Sequence, residues 1–173
     1  GPYSGLSFVS FPVVSEPCLV GLGVGTQGLS PDEAILGRPG HARKVQAICS
    51  WLNREFGRGR LVAWAKQDPT RTDQSIPEEV RREWSAYKPV VDRYGREMYA
   101  LFRPNADRFG TLEAIAAFLD LLFEERGDYP LASSRGHSDE IRAKWFEYVM
   151  PPVEERDVAS LLAERRYVIL QGP

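Results

Sequence analysis

Cys18-Leu19-Val20-Gly21-Leu22-Gly23-Val24-Gly25-Thr26 sets glycine against branched apolar residues at every second position. A period of two marks a strand, and it puts Gly21, Gly23 and Gly25 on one face, bare for close packing. Upstream, Leu6 to Val14 is a second β-type run rich in Phe and Val, with Ser15-Glu16-Pro17 as the turn between them. The two runs are expected to pair antiparallel. That pairing sets the fold class for the whole chain: α+β, a mainly antiparallel sheet flanked by helices, with a C-terminal helix-strand arm.

The rest of the chain supplies the helices and the remaining strands. Ser30-Pro31-Asp32-Glu33 is a helix start, with Ser30 as cap, Pro31 in the first turn and Glu33 completing a capping box; this short helix stops at Gly37. After Pro39-Gly40 a longer helix places Ala42, Val45, Ile48, Cys49, Leu52 and Phe56 on one stripe. Its other face carries Arg43, Lys44, Gln46, Asn53 and Arg54, and Gly57-Arg58-Gly59 ends it. Leu61 to Lys66 reads as a strand, Gln67 to Ser75 as a polar loop, and Pro77 opens a short helix through Trp84 and Tyr87. A strand from Glu97 to Arg103 follows a turn at Tyr94-Gly95, with Met98, Ala100 and Phe102 opposite Tyr99 and Leu101. Thr111 to Glu125 is the strongest helix, with Leu112, Ile115, Ala116, Leu119, Leu122 and Phe123 as its buried stripe. A further helix begins near Ser138 and presents Ile141, Trp145 and Tyr148, and Pro151-Pro152 stops it.

Composition narrows the classes. Two cysteines, Cys18 and Cys49, are too few for a disulfide framework and fit a reducing, cytoplasmic setting. No apolar run approaches the roughly 20 residues that span a bilayer, so no membrane partner is expected. A formal net charge of −2 gives no global attraction to nucleic acid. A local basic face still acts, because only the field within a Debye length of about 10 Å matters.

Arg38, His41, Arg43, Lys44, Arg54, Arg58 and Arg60 form such a segment, interrupted by Glu55 alone among acids. Arg43, Lys44 and Arg54 would contact phosphate, since helical spacing places them near one side. Reading a base would also need stacking aromatics, and Trp64, Trp84 and Tyr87 are the candidates, with Tyr99 and Trp145 further from the segment. The plainer alternatives are a solvated helix face paired with acids, and aromatics that belong to the core. Gly23-x-Gly25-x-x-Gly28 matches a dinucleotide fingerprint as a string, but the acid expected about 20 positions on is missing, and Ile48-Cys49-Ser50 stands there. Cys18, His41, Cys49 and His137 lack the close pairing of zinc ligands. Gln67 to Asp73 lacks the later Glu-x-Lys of metal-dependent nucleases, so no catalysis and no cofactor are expected in this chain.

The C-terminal stretch supplies a wider setting. Asp157-Val158-Ala159-Ser160-Leu161-Leu162 followed by Tyr167-Val168-Ile169-Leu170-Gln171-Gly172-Pro173 resembles the helix and strand that lead into the phosphate loop of AAA+ ATPases. Together with Gly21-Leu22-Gly23-Val24-Gly25, Glu97-Met98-Tyr99-Ala100-Leu101-Phe102 and the Leu112 to Glu125 helix, it resembles the McrB-like restriction NTPases and their N-terminal domain. That resemblance implies a recognition domain over residues 1–150, then a linker and the truncated start of an AAA+ NTPase domain over 151–173. It further implies DNA as ligand, modified DNA included, in restriction or phage defence. ATP or GTP with Mg, a homo-oligomeric ring and a nuclease subunit would belong to the intact protein. The alternative from another class is a regulatory module that docks a protein partner onto such a ring.

Overall fold

β1 (Leu6–Val13) and β2 (Glu16–Val24) pair antiparallel, from Leu6 opposite Val24 to Phe11 opposite Leu19. The computed structural model describes residues 6–14, 16–24, 36, 40–69, 71, 73–104 and 108–126. The capping box at 30–33, Gly25, Gly28, the helix near Ser138 and the arm over 151–173 lie outside the described residues. After the hairpin come α1 (His41–Phe56), β3 (Ala63–Ala65), α2 (Glu78–Glu83), a 3-10 turn (Ser85–Tyr87), α3 (Lys88–Tyr94), β4 (Met98–Phe102) and α4 (Arg108–Arg126). The strand order is β1-β2-β4-β3, and every pairing is antiparallel. The fold class is α+β. No described helix is long and apolar enough to cross a membrane.

The sheet separates two cores. On one face Leu6, Val20, Leu22, Val24, Ala100 and Phe102 pack against Val45, Ile48 and Leu52 of α1 and Ala117, Phe118 and Leu121 of α4. Each fully buried Val, Leu, Ile or Phe side chain contributes about 1.5–3 kcal/mol through water released from apolar surface. The other face packs Val9, Leu19, Met98 and Leu101 against Ile76, Val80, Trp84, Tyr87 and Val91. Gly21 faces this second core, and a Cβ there would lie 2.1 Å from the Ala100 carbonyl oxygen and 2.9 Å from Leu101 Cδ2. The bare glycine face is how β4 approaches β2 so closely.

Three expectations change on inspection of the packing. Strict alternation in β4 puts Met98 with Ala100 and Phe102, yet Tyr99 joins the α1 core and Met98 the other. The cause is a bulge: Leu22 pairs with Ala100 but Gly23 pairs with Met98, so Tyr99 is the extra residue and the parity flips. In α4 Leu122 is buried as expected and Ile115, Ala116 and Leu119 pack partly buried against the core, but the fully buried residues are Ala114, Ala117, Phe118 and Leu121, and Leu112 is 62% exposed. This helix is apolar nearly all round, so two stripes at helical spacing compete and only the neighbours choose. The helix expected to run from Pro77 through Tyr87 breaks at Trp84, where φ −104° and ψ 35° leave the helical region.

Candidate functional site

Among the described residues β3 is an edge strand, and two amide side chains of α1 close its outer side. Asn53 Oδ1 accepts from the N–H groups of Val62 and Ala63, both at 2.8 Å, and its Nδ2 donates to the Ala63 carbonyl at 2.8 Å. Seven residues earlier, Gln46 Nε2 donates to the carbonyls of Ala65 and Lys66 at 3.2 Å. Two turns of helix bring these residues to one side, and an edge that would otherwise invite another strand is occupied. The sequence places Gln46 and Asn53 on a solvated face together with the arginines. The structure separates them: the amides serve the sheet, and the cations look outward.

Past Gln46 the edge opens into a cleft of about 880 Å³. Trp64 of β3, half-buried, lies on one wall, and Glu79, Arg82 and Glu83 of α2 lie on another. Gln67, Gln74 and Ser75 bring amides and a hydroxyl. Two cations, Lys66 and Arg82, balance two carboxylates, Glu79 and Glu83, among the lining residues. A charge-balanced cleft rich in amides, with an aromatic wall, suits a neutral planar group with both donors and acceptors better than it suits a phosphate.

Lys66 is only 4% exposed. Its ammonium donates to the carbonyls of Arg96 at 2.6 Å and Arg71 at 3.2 Å. Burial pushes its pKa below the ordinary lysine value, and the carboxylates of Glu97, Asp73 and Asp68 pull the other way. Arg71 pairs with Asp73 at 2.5 Å on the same loop, which holds the Asp73 carboxyl below its usual range.

The predicted basic segment divides in the fold. Arg43, Arg54, Arg58 and Arg60 are exposed. Arg43 and Arg54 are 11 residues apart and so lie about 20° from each other around α1, on the stripe next to Gln46. Lys44 is half-buried and, one residue on, points about 100° away from Arg43. The placing of all three on one side is therefore corrected to two. His41 is corrected as well: at 1% exposure it belongs to the core, its ring stacked on Tyr99 with centroids 5.5 Å apart. Arg38 lies outside the described residues. Arg58 has a positive φ of 50°, followed by Gly59 at 81°, so the turn after α1 is left-handed at two successive residues.

Of the aromatic candidates, Trp84 and Tyr87 are corrected to core residues. Trp84 is 0% exposed, with its indole N–H on the Leu61 carbonyl at 2.8 Å, and the Tyr87 hydroxyl donates to the Pro17 carbonyl at 2.8 Å. Trp64 alone of the three lines the cleft. Tyr99 is buried beside His41, and Trp145 and His137 lie outside the described residues. Cys49 is fully enclosed and burial pushes its thiol far up, while Cys18 is half-buried with its sulfur 2.7 Å from Ser10 Oγ. Sequence reasoning did not single out Gln46, Lys66, Gln67 or Gln74 as functional. The one signal for Lys66 was a lysine directly following the apolar run Leu61 to Ala65.

No protein-family model, curated protein or solved structure matches the chain.

Proposed function

We propose that this chain is the DNA-recognition domain of an McrB-like AAA+ NTPase in restriction or phage defence, reading an unstacked base, modified bases included. The observation that carries the reading is a juxtaposition. The exposed Arg43–Arg54 stripe of α1 runs beside Gln46, and Gln46 lines the cleft that Trp64 walls. Phosphates held on the stripe leave a base one side chain away from an aromatic, amide-rich opening. Arg58 and Arg60, at the end of the same helix, extend the positive edge. The wider AAA+ setting draws its support from the sequence of residues 157–173.

The test is a titration of labelled duplex and single-stranded DNA by fluorescence anisotropy at two salt concentrations. Binding is expected to weaken steeply with salt, because each neutralised phosphate releases a counterion. Arg43→Glu with Arg54→Glu is expected to abolish it with the fold intact by circular dichroism. Absence of binding to any DNA at low salt overturns the reading, and co-purification of a protein partner instead would favour the docking module.

A further inference from the structure

A buried ammonium is an unfavourable way to fill space. Removing a charge from water costs several kcal/mol after relaxation, so a residue such as Lys66 is explained only by what the charge holds. Two of its three N–H donors go to backbone carbonyls that are far apart in sequence, Arg71 on the loop and Arg96 in the turn before β4. The residue is anchored at its backbone too. Its N–H donates to the Tyr99 carbonyl at 2.7 Å, and its carbonyl accepts from Gln46 Nε2. Lys66 thus joins α1, β4, the turn at Arg96 and the loop at Arg71. Gln67 on one side of Arg71, and Gln74 and Ser75 on the other, line the cleft.

Resting on the reading of the cleft as the recognition site, we infer that Lys66 is a positioning residue that latches the cleft wall to the sheet. The ammonium fixes Arg71, between the cleft residues Gln67 and Gln74, through its carbonyl, and ligand affinity depends on it although two of its donors are committed to the backbone. The carboxylates of Glu97, Asp73 and Asp68 favour the charged form of the ammonium against the desolvation that disfavours it. Hydrogen bonds from an ionised donor are about twice as strong as neutral ones, so a neutral side chain of similar length does not replace it.

Lys66→Met separates this role from a merely structural one. Removing the ammonium leaves the Arg71 and Arg96 carbonyls without their donor, so some loss of stability is expected and the place where protection is lost is what discriminates. The latch predicts a local effect, at least about tenfold faster amide hydrogen exchange at Gln67, Asp68, Arg71, Gln74 and Ser75, while the amides of β4 keep their protection. It also predicts at least about tenfold weaker binding of the DNA probe, since two hydrogen bonds that hold the wall are lost. Lys66→Arg, which keeps the charge, should recover part of both effects. Unchanged exchange and unchanged affinity in Lys66→Met would overturn the latch, as would exchange that accelerates equally in β4. A wild-type domain that binds no DNA removes the recognition reading, and hydrogen exchange then decides the latch alone.

Discussion

The two faces of the sheet are built in different ways. One is covered by α1 and α4, long helices whose aliphatic stripes lie flat on Val20, Leu22, Ala100 and Phe102. The other is covered by short pieces, α2, a 3-10 turn and α3, pinned by two polar aromatics whose indole and hydroxyl reach strand-end carbonyls. Long helices seal a face through area alone. Short segments bury less each and need directed hydrogen bonds to hold their places, and where they stop short the sheet is open among the described residues. The cleft sits at that opening. Among the described residues the candidate site thus lies where coverage is incomplete, bordering the face that is pinned.

The sharpest test of this contrast sets two tryptophans of the pinned face against each other. Trp84→Ala removes a fully buried ring and its hydrogen bond, and thermal or urea unfolding should show a loss of about 3–5 kcal/mol. Trp64→Ala, on the half-buried cleft wall, should cost far less stability and remove most of the DNA affinity. Equal destabilisation by the two would make Trp64 a core residue and erase the distinction. Smaller in effect is Asn53→Ala on the sealed face, which strips three hydrogen bonds from the edge of β3. Leaving those backbone groups without their partner should cost about 1–3 kcal/mol in denaturant unfolding, with Gln46 still in place. The smallest change concerns the turn after α1. Arg58→Gly relieves a left-handed backbone at a residue with a Cβ and should raise stability by up to about 1 kcal/mol while weakening DNA binding. A loss of stability there would mean that the arginine side chain holds the turn.

Much of the scaffold was readable from residue order. The glycine alternation at 21 and 23, the turn near residue 15 and the helical spacing from Val45 to Leu52 are local patterns, and local sterics enforce them wherever the chain goes. The site was legible only in part. Trp64 and the outward arginines Arg43 and Arg54 could be proposed, since their types speak for stacking and phosphate contact. His41, Trp84 and Tyr87 have the same chemical types and were indistinguishable until their surroundings were seen. The parity of Met98 and Tyr99 was hidden because a bulge is a property of two strands, and neither strand alone encodes it.

The sequence by itself determined that β1 and β2 form a hairpin, that α1 is amphipathic and that the class is α+β. Each of these follows from periodicity, which a backbone expresses within a few residues of itself. Only the tertiary structure decided that Gln46 and Asn53 face the β3 edge while Arg43 and Arg54 face solvent, that α4 buries Ala114 and Phe118 and leaves Leu112 out, and that Lys66 reaches the carbonyls of Arg71 and Arg96. Periodicity fixes the angle of a side chain around its own element. What stands opposite at that angle is set by how distant segments pack, and there burial and hydrogen bonding choose between residues that the sequence leaves equivalent.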